Sequence, residues 1–163
     1  MRPEIGQQAP DFTLRDQHGQ RVSLSSFRGE KAVVVMFYPY AFSRVCTGEL
    51  CAVRDSLPTF ESDRVQVLAV SCDPMFTLRA FAEADALTFP LLSDFWPHGA
   101  TAEAYGVLDR SGGFARRSTY IVDKQGVVRW AVHNRTPEAR DLDEQARVLA
   151  GLDGEGPADQ ASW

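Results

Sequence analysis

Residues 32–38 read AVVVMFY, a run that is β-branched and almost wholly apolar. A strand with one wetted face would alternate polar and apolar residues, so this run predicts a strand buried on both faces. Pro39 ends it, because proline has no N–H to give to a sheet ladder. After an irregular loop, apolar residues recur at helical spacing from about Ser43 through Leu50, Val53 and Leu57, and Pro58 is predicted to interrupt the helix. Val65 to Ser71 is a second buried run. Strand, helix and strand in this order form a βαβ unit, whose strands lie parallel across a right-handed crossover. The chain is thereby restricted to the α/β folds.

The remaining segments fit around that unit. Phe12–Leu14 and Arg21–Leu24 flank Asp16-Gln17-His18-Gly19 and predict a β-hairpin. A helix fits Phe76 to Ala84, opened by Asp73-Pro74 with the proline in a tolerated early position. Ser118–Val122 and Val127–Val132 predict a second hairpin around Asp123-Lys124-Gln125-Gly126. A last helix covers about Leu142 to Leu152, and the Gly-, Asp- and Ala-rich residues 153–163 are expected to fray. No repeat and no long linker divides the 163 residues, so 1–163 is expected to be a single domain. The predicted architecture is a central mixed sheet with helices on both faces. The thioredoxin arrangement fits this order, although periodicity alone does not single it out.

Several functions are disfavoured by composition. The net charge is −5 and no basic block occurs, which argues against nucleic-acid binding. No apolar run approaches the roughly 20 residues of a membrane-spanning helix. The first residues lack the apolar core of a secretory signal, so a cytoplasmic location is expected. In that reducing compartment three cysteines, Cys46, Cys51 and Cys72, are not expected to be a structural disulfide framework. The histidines, His18, His98 and His133, show no short ligand spacing with the cysteines, and no metal or other cofactor is expected. The aromatic group Phe89, Phe95, Trp96 and Tyr105 suits core packing, with a share left for a site rim or an interface.

Chemistry is concentrated in Pro39-Tyr40-Ala41-Phe42-Ser43-Arg44-Val45-Cys46-Thr47-Gly48-Glu49-Leu50-Cys51. This segment leaves the carboxyl end of a buried strand, where sites collect in open α/β sheets, and enters a helix. Cys46 falls in the first helical turn, where unbonded N–H groups and the helix dipole favour an anion. The thiolate is the reactive form of cysteine. From position alone, a small buried hydrophobe capping the core is an equal alternative.

Pro39-x-x-x-Ser43-x-x-Cys46 resembles the peroxiredoxin signature Pro-x-x-x-Thr/Ser-x-x-Cys. The likeness extends over roughly residues 5 to 150, through Gly6–Leu14, Phe89–Asp94, Ala104–Val107 and Arg117–Asp123. Phe95-Trp96-Pro97-His98-Gly99 is most similar to the AhpE group of one-cysteine enzymes. The resemblance implies a thioredoxin-like fold and a thiol-dependent peroxidase that reduces hydrogen peroxide, organic hydroperoxides or peroxynitrite. It makes Cys46 the peroxidatic nucleophile, which becomes a sulfenic acid. Pro39 would shield the sulfur, and the Ser43 hydroxyl would bond the peroxide oxygens. Arg117 would stabilise the thiolate and the developing charge, with Glu49 orienting the guanidinium. Arg116 competes for the arginine role, but neighbours on a strand face opposite ways, and the family spacing selects Arg117.

Cys51, five residues after Cys46, resembles the resolving cysteine of the PrxQ (bacterioferritin comigratory protein) group. Five helical residues turn through about 140° and separate two Cα atoms by about 8.6 Å, beyond the roughly 7 Å of a disulfide. A Cys46–Cys51 bond therefore requires local unwinding, which Gly48 makes easier. The alternative for Cys51 is a core thiol near Leu50 and Val53, leaving a one-cysteine enzyme reset by an external thiol. Cys72 is expected to be a strand-end core thiol. The implied reductant is a thioredoxin, a glutaredoxin-like protein or a low-molecular-weight thiol. The AhpE likeness favours a homodimer and the PrxQ likeness a monomer, with the dimer as the expectation. A dithiol–disulfide oxidoreductase and a redox sensor are the functions that compete.

Overall fold

The computed structural model describes residues 2–134 and 141–154. Strand β1 (Thr13–Arg15) turns back into β2 (Arg21–Ser23), pairing Leu14 with Val22. A 3₁₀ turn at Leu24–Phe27 leads to β3 (Ala32–Phe37), which is buried throughout. Helices α1 (Arg44–Asp55) and α2 (Leu57–Phe60) follow, then the buried β4 (Val65–Ser71) and α3 (Met75–Asp85). Next come β5 (Leu91–Ser93), α4 (Ala100–Ala104) and the two-stranded ribbon of β6 (Leu108–Asp109) and β7 (Phe114–Ala115). The hairpin of β8 (Ser118–Val122) and β9 (Val128–His133) precedes α5 (Leu142–Gly154).

Among the described residues, seven strands form one mixed sheet in the order β2-β1-β5-β4-β3-β8-β9. The predicted parallel pairing of β3 with β4 is present, and β8 lies antiparallel on the other side of β3. Alternate side chains of these strands build two cores. Val34, Met36, Val67, Ala69 and Ile121 pack on one face with Leu50, Phe81 and Leu149 from α1, α3 and α5. Val35, Phe37, Leu68 and Val70 pack on the other face with Ala102 of α4 and Tyr105. Burial on both sides accounts for the unbroken apolar run of β3 and for the apolar stretch Val67–Val70 of β4, each large side chain contributing about 1.5–3 kcal/mol. The fold is thioredoxin-like.

Some local expectations are refined. The interruption expected at Pro58 is present and falls at Ser56, two residues ahead of the proline, so that Pro58 stands in the first turn of a new helix, α2, where its missing N–H costs nothing. Asp73-Pro74 opens α3 as expected, with Pro74 at the N-cap, and the helix extends one residue beyond the expected Phe76–Ala84 at each end. The aromatic group divides, with Phe89 and Tyr105 fully buried while Phe95 and Trp96 are exposed. α5 continues two residues beyond Leu152 to Gly154, and the expectation of fraying over 155–163 lies outside the described residues. No helix among the described residues is long and apolar enough to cross a membrane.

Candidate active site

The site forms where β3 ends. Tyr38 and Pro39 are buried, and the chain then crosses the surface at Tyr40, Ala41 and Phe42 before α1 begins. Phe42 has φ of 67°, a left-handed conformation that is rare for an aromatic residue and costs of order 1–3 kcal/mol. Neighbours hold this bend. The Phe42 ring lies 5.0 Å from that of Phe81 on α3, and Tyr40 lies 5.3 Å from Phe114 on β7. The Ala41 N–H donates to Asp73 Oδ2 at 2.8 Å, tying the loop to the end of β4.

Ser43 is the N-cap of α1, and its carbonyl accepts the first helical bond from Thr47 N–H at 2.8 Å. The N–H groups of Arg44, Val45 and Cys46 thus belong to the first turn, which has no carbonyl of its own helix to bond. Cys46 is fully buried there. Arg117 Nη2 donates to Cys46 Sγ at 3.5 Å, while Nη1 of the same guanidinium makes an ion pair with Glu49 Oε1. Both charged side chains are buried. Glu49 is three residues after Cys46, so α1 presents both on one face. The expected alternation at the start of β8 is present: Arg117 turns inward, and Arg116 is exposed with Nε 4.0 Å from Asp109 Oδ2.

Cys46, Glu49 and Arg117 are therefore brought into contact where α1 meets the start of β8, while Pro39 follows the end of β3 and Ser43 stands at the N-cap of the same helix. The other cysteines stand apart. Cys51 shares α1 and is half-buried, whereas its neighbours Leu50 and Val53 belong to the core. Cys72 is buried just past the end of β4, on the face of the sheet opposite Cys46. Burial, followed by the nearby Asp94 and Asp73 carboxylates, pushes its thiol up to about 12. The three cysteines are free thiols.

Two acidic residues organise the neighbourhood without having been singled out in the sequence. Asp73 joins the loop after β3 to the ends of β4 and β5, as its Oδ2 accepts from Ala41 N–H and Ser71 Oγ and its carbonyl accepts from Ser93 Oγ at 2.7 Å. Its signal was its place at the carboxyl end of a parallel strand next to β3, where sites gather. Asp94 accepts the N–H groups of Thr101 and Ala102 and so caps α4, while burial raises its carboxyl.

A sulfur at a helix start, touched by a buried guanidinium on a mixed sheet covered by helices, belongs to the thiol-redox proteins of thioredoxin-like fold. Residues 5–131 match the AhpC/TSA family, and the chain belongs to that family, the peroxiredoxins. It is an enzyme, a thiol-dependent peroxidase. The chain is 47% identical over 148 residues to an alkyl hydroperoxide reductase E of Mycobacterium tuberculosis, covering 91% of this chain and 97% of the relative. It is 39% identical to a chloroplastic peroxiredoxin Q of Populus jackii, covering 90% of this chain and 68% of the relative. Among solved structures, the peroxidoxin BcpB of Mycobacterium tuberculosis superposes with a TM-score of 0.81 at 30% identity, covering 92% and 98% of the two chains.

Proposed function

We propose that Cys46 is the peroxidatic nucleophile and that Cys51 resolves it. The contact that carries this proposal is that of Arg117 Nη2 with Cys46 Sγ, backed by Glu49. In the first step the Cys46 thiolate attacks one oxygen of a hydroperoxide. The S–O bond forms as the O–O bond breaks, and the leaving oxygen takes a proton to depart as water or an alcohol. Arg117, the Ser43 hydroxyl and the N–H groups of the first turn of α1 face the charge that shifts onto the peroxide oxygens. Donors placed in advance at developing charge are commonly the largest electrostatic contribution to a rate. Pro39 shields the sulfur from water. In the second step the Cys51 thiol attacks the sulfenic sulfur, forming the disulfide and releasing water. Two electrons and two protons from an external dithiol of the thioredoxin or glutaredoxin type, or from low-molecular-weight thiols, then restore both thiols.

The substrates we assign are hydrogen peroxide and organic hydroperoxides, with peroxynitrite as a further oxidant. We further propose that residues 1–163 act as a single domain in a reducing, cytoplasmic setting. Phe95 and Trp96, both exposed beside the same cavity, support a homodimer joined through this aromatic rim. A second cycle, in which an external thiol reduces the Cys46 sulfenic acid directly, is favoured by α1 being continuous across both cysteines.

Stopped-flow oxidation of the reduced enzyme by hydrogen peroxide, combined with mass spectrometry, tests the assignment. Cys46→Ser is expected to abolish the peroxide-dependent phase. Cys51→Ser is expected to retain that phase and accumulate sulfenic acid. A wild type that also accumulates sulfenic acid, unchanged by Cys51→Ser, supports the one-cysteine cycle instead.

A further inference from the structure

Asp73 lies outside the set of residues that surround the sulfur, yet it is the point at which the catalytic loop is fastened. The segment from Pro39 to Ser43 must hold a buried proline and the N-cap residue of α1 in place while passing through the left-handed Phe42. Its backbone is anchored one residue before that bend, where Ala41 N–H donates to Asp73 Oδ2 at 2.8 Å. The same oxygen accepts from Ser71 Oγ at 2.8 Å, and Ser93 Oγ fixes the Asp73 carbonyl at 2.7 Å. Bonds from β4 and β5 thus hold a carboxylate rigidly, and that carboxylate holds the loop. A backbone N–H bonded to an anion makes one of the stronger hydrogen bonds available to a loop.

The geometry points to Asp73 as a positioning residue for the peroxidase reaction: its carboxylate oxygen latches the Pro39–Ser43 loop against the end of β4, so that Pro39 and Ser43 meet peroxide in register with Cys46. The latch acts through Ala41 and does not touch the sulfur. It rests on the assignment of Cys46 as the nucleophile, and it also bears on the reset. Releasing Ala41 from Asp73 frees the chain just ahead of the helix that must unwind before Cys46 reaches Cys51.

Asp73→Ala and Asp73→Asn separate the latch from simple electrostatics, since both remove a negative charge and only asparagine keeps an acceptor oxygen. The quantity read is the second-order rate constant of the first, peroxide-dependent phase. Asp73→Ala is expected to lower it about tenfold or more, as small misplacements of reacting groups do. Asp73→Asn is expected to restore most of the rate. Equal rates for both variants, whether raised or lowered, overturn the latch. If wild type itself shows no such phase, the assignment of Cys46 fails. A normal wild type matched by Asp73→Ala removes only the role of Asp73. Should Asp73→Ala not fold, amide exchange in the reduced wild type decides: the Ala41 N–H is expected to be protected, and exchange at the rate of an open loop refutes the latch.

Discussion

Arg117 and Glu49 are buried as a pair, and burying charge is expensive. Loss of one partner from such a pair costs about 3–5 kcal/mol, because the other charge is left uncompensated. The chain bears the cost of burying this pair where the guanidinium also touches Cys46 Sγ. Cys72 shows the opposite use of burial. Its thiol is pushed up to about 12, chiefly because its surroundings exclude water, whereas an unfolded thiol titrates near 8.5. Below about pH 8.5 both states carry the proton, and the native advantage of the neutral thiol is complete. As pH rises through the window up to about 12 the unfolded chain releases that proton first, so stability falls with rising pH. Urea denaturation between about pH 8 and 9.5, below the tyrosine range, should show this loss in a Cys46→Ser, Cys51→Ser background. Cys72→Ala should flatten it. An unchanged slope would show that Cys72 is not the group responsible.

At the scale of elements, α1 carries two demands that conflict. Peroxide chemistry needs the helix wound, with Cys46 in its first turn facing Arg117, and resolution by Cys51 needs it opened. Gly48 lies between the two cysteines, and a methyl group added there meets nothing within 4 Å. Gly48→Ala should therefore strengthen the helix by about 1 kcal/mol without a clash, equivalent to roughly fivefold in an opening equilibrium. The first, peroxide-dependent phase should be unchanged and disulfide formation slowed by about that factor, read by quenched-flow alkylation and mass spectrometry. Equal disulfide rates would count against unwinding around Gly48. The elements that carry this chemistry were legible in the sequence because β3 and β4 are long apolar runs and α1 has a helical period. β5, α4 and the ribbon of β6 and β7 were not. At two to five residues they are too short to show a period, and tertiary contacts set them, as Asp94 does by capping α4.

For the whole molecule, the outstanding surface feature is aromatic. Trp96 is 81% exposed and Phe95 45%, and both line a cavity of about 450 Å³ together with Pro74, Met75, Arg15 and Arg21. Large exposed aromatics grouped in this way mark association surfaces. Sedimentation equilibrium is expected to report a dimer for the wild type and a shift toward monomer for Trp96→Glu, with the fold retained because Trp96 is outside both cores. A monomeric wild type, or a Trp96→Glu variant as dimeric as the wild type, would exclude this surface as the interface.

The amino-acid order alone carried the βαβ unit, both hairpins and the position of Cys46 at a helix start, since these follow from local periodicity, from proline and glycine chemistry and from the free N–H groups of a first helical turn. It also carried the choice of Arg117 over Arg116, which needs only the alternation of a strand and the family spacing. Contact across the sheet required the folded chain. Sγ of Cys46 meets Arg117, 71 residues away, because β3 and β8 are neighbours. Cys72 is removed from the site because it lies on the other face of that sheet, and Ala41 meets Asp73 because β3 and β4 run side by side. Distances between residues remote in the chain are set by packing, and no local pattern encodes them.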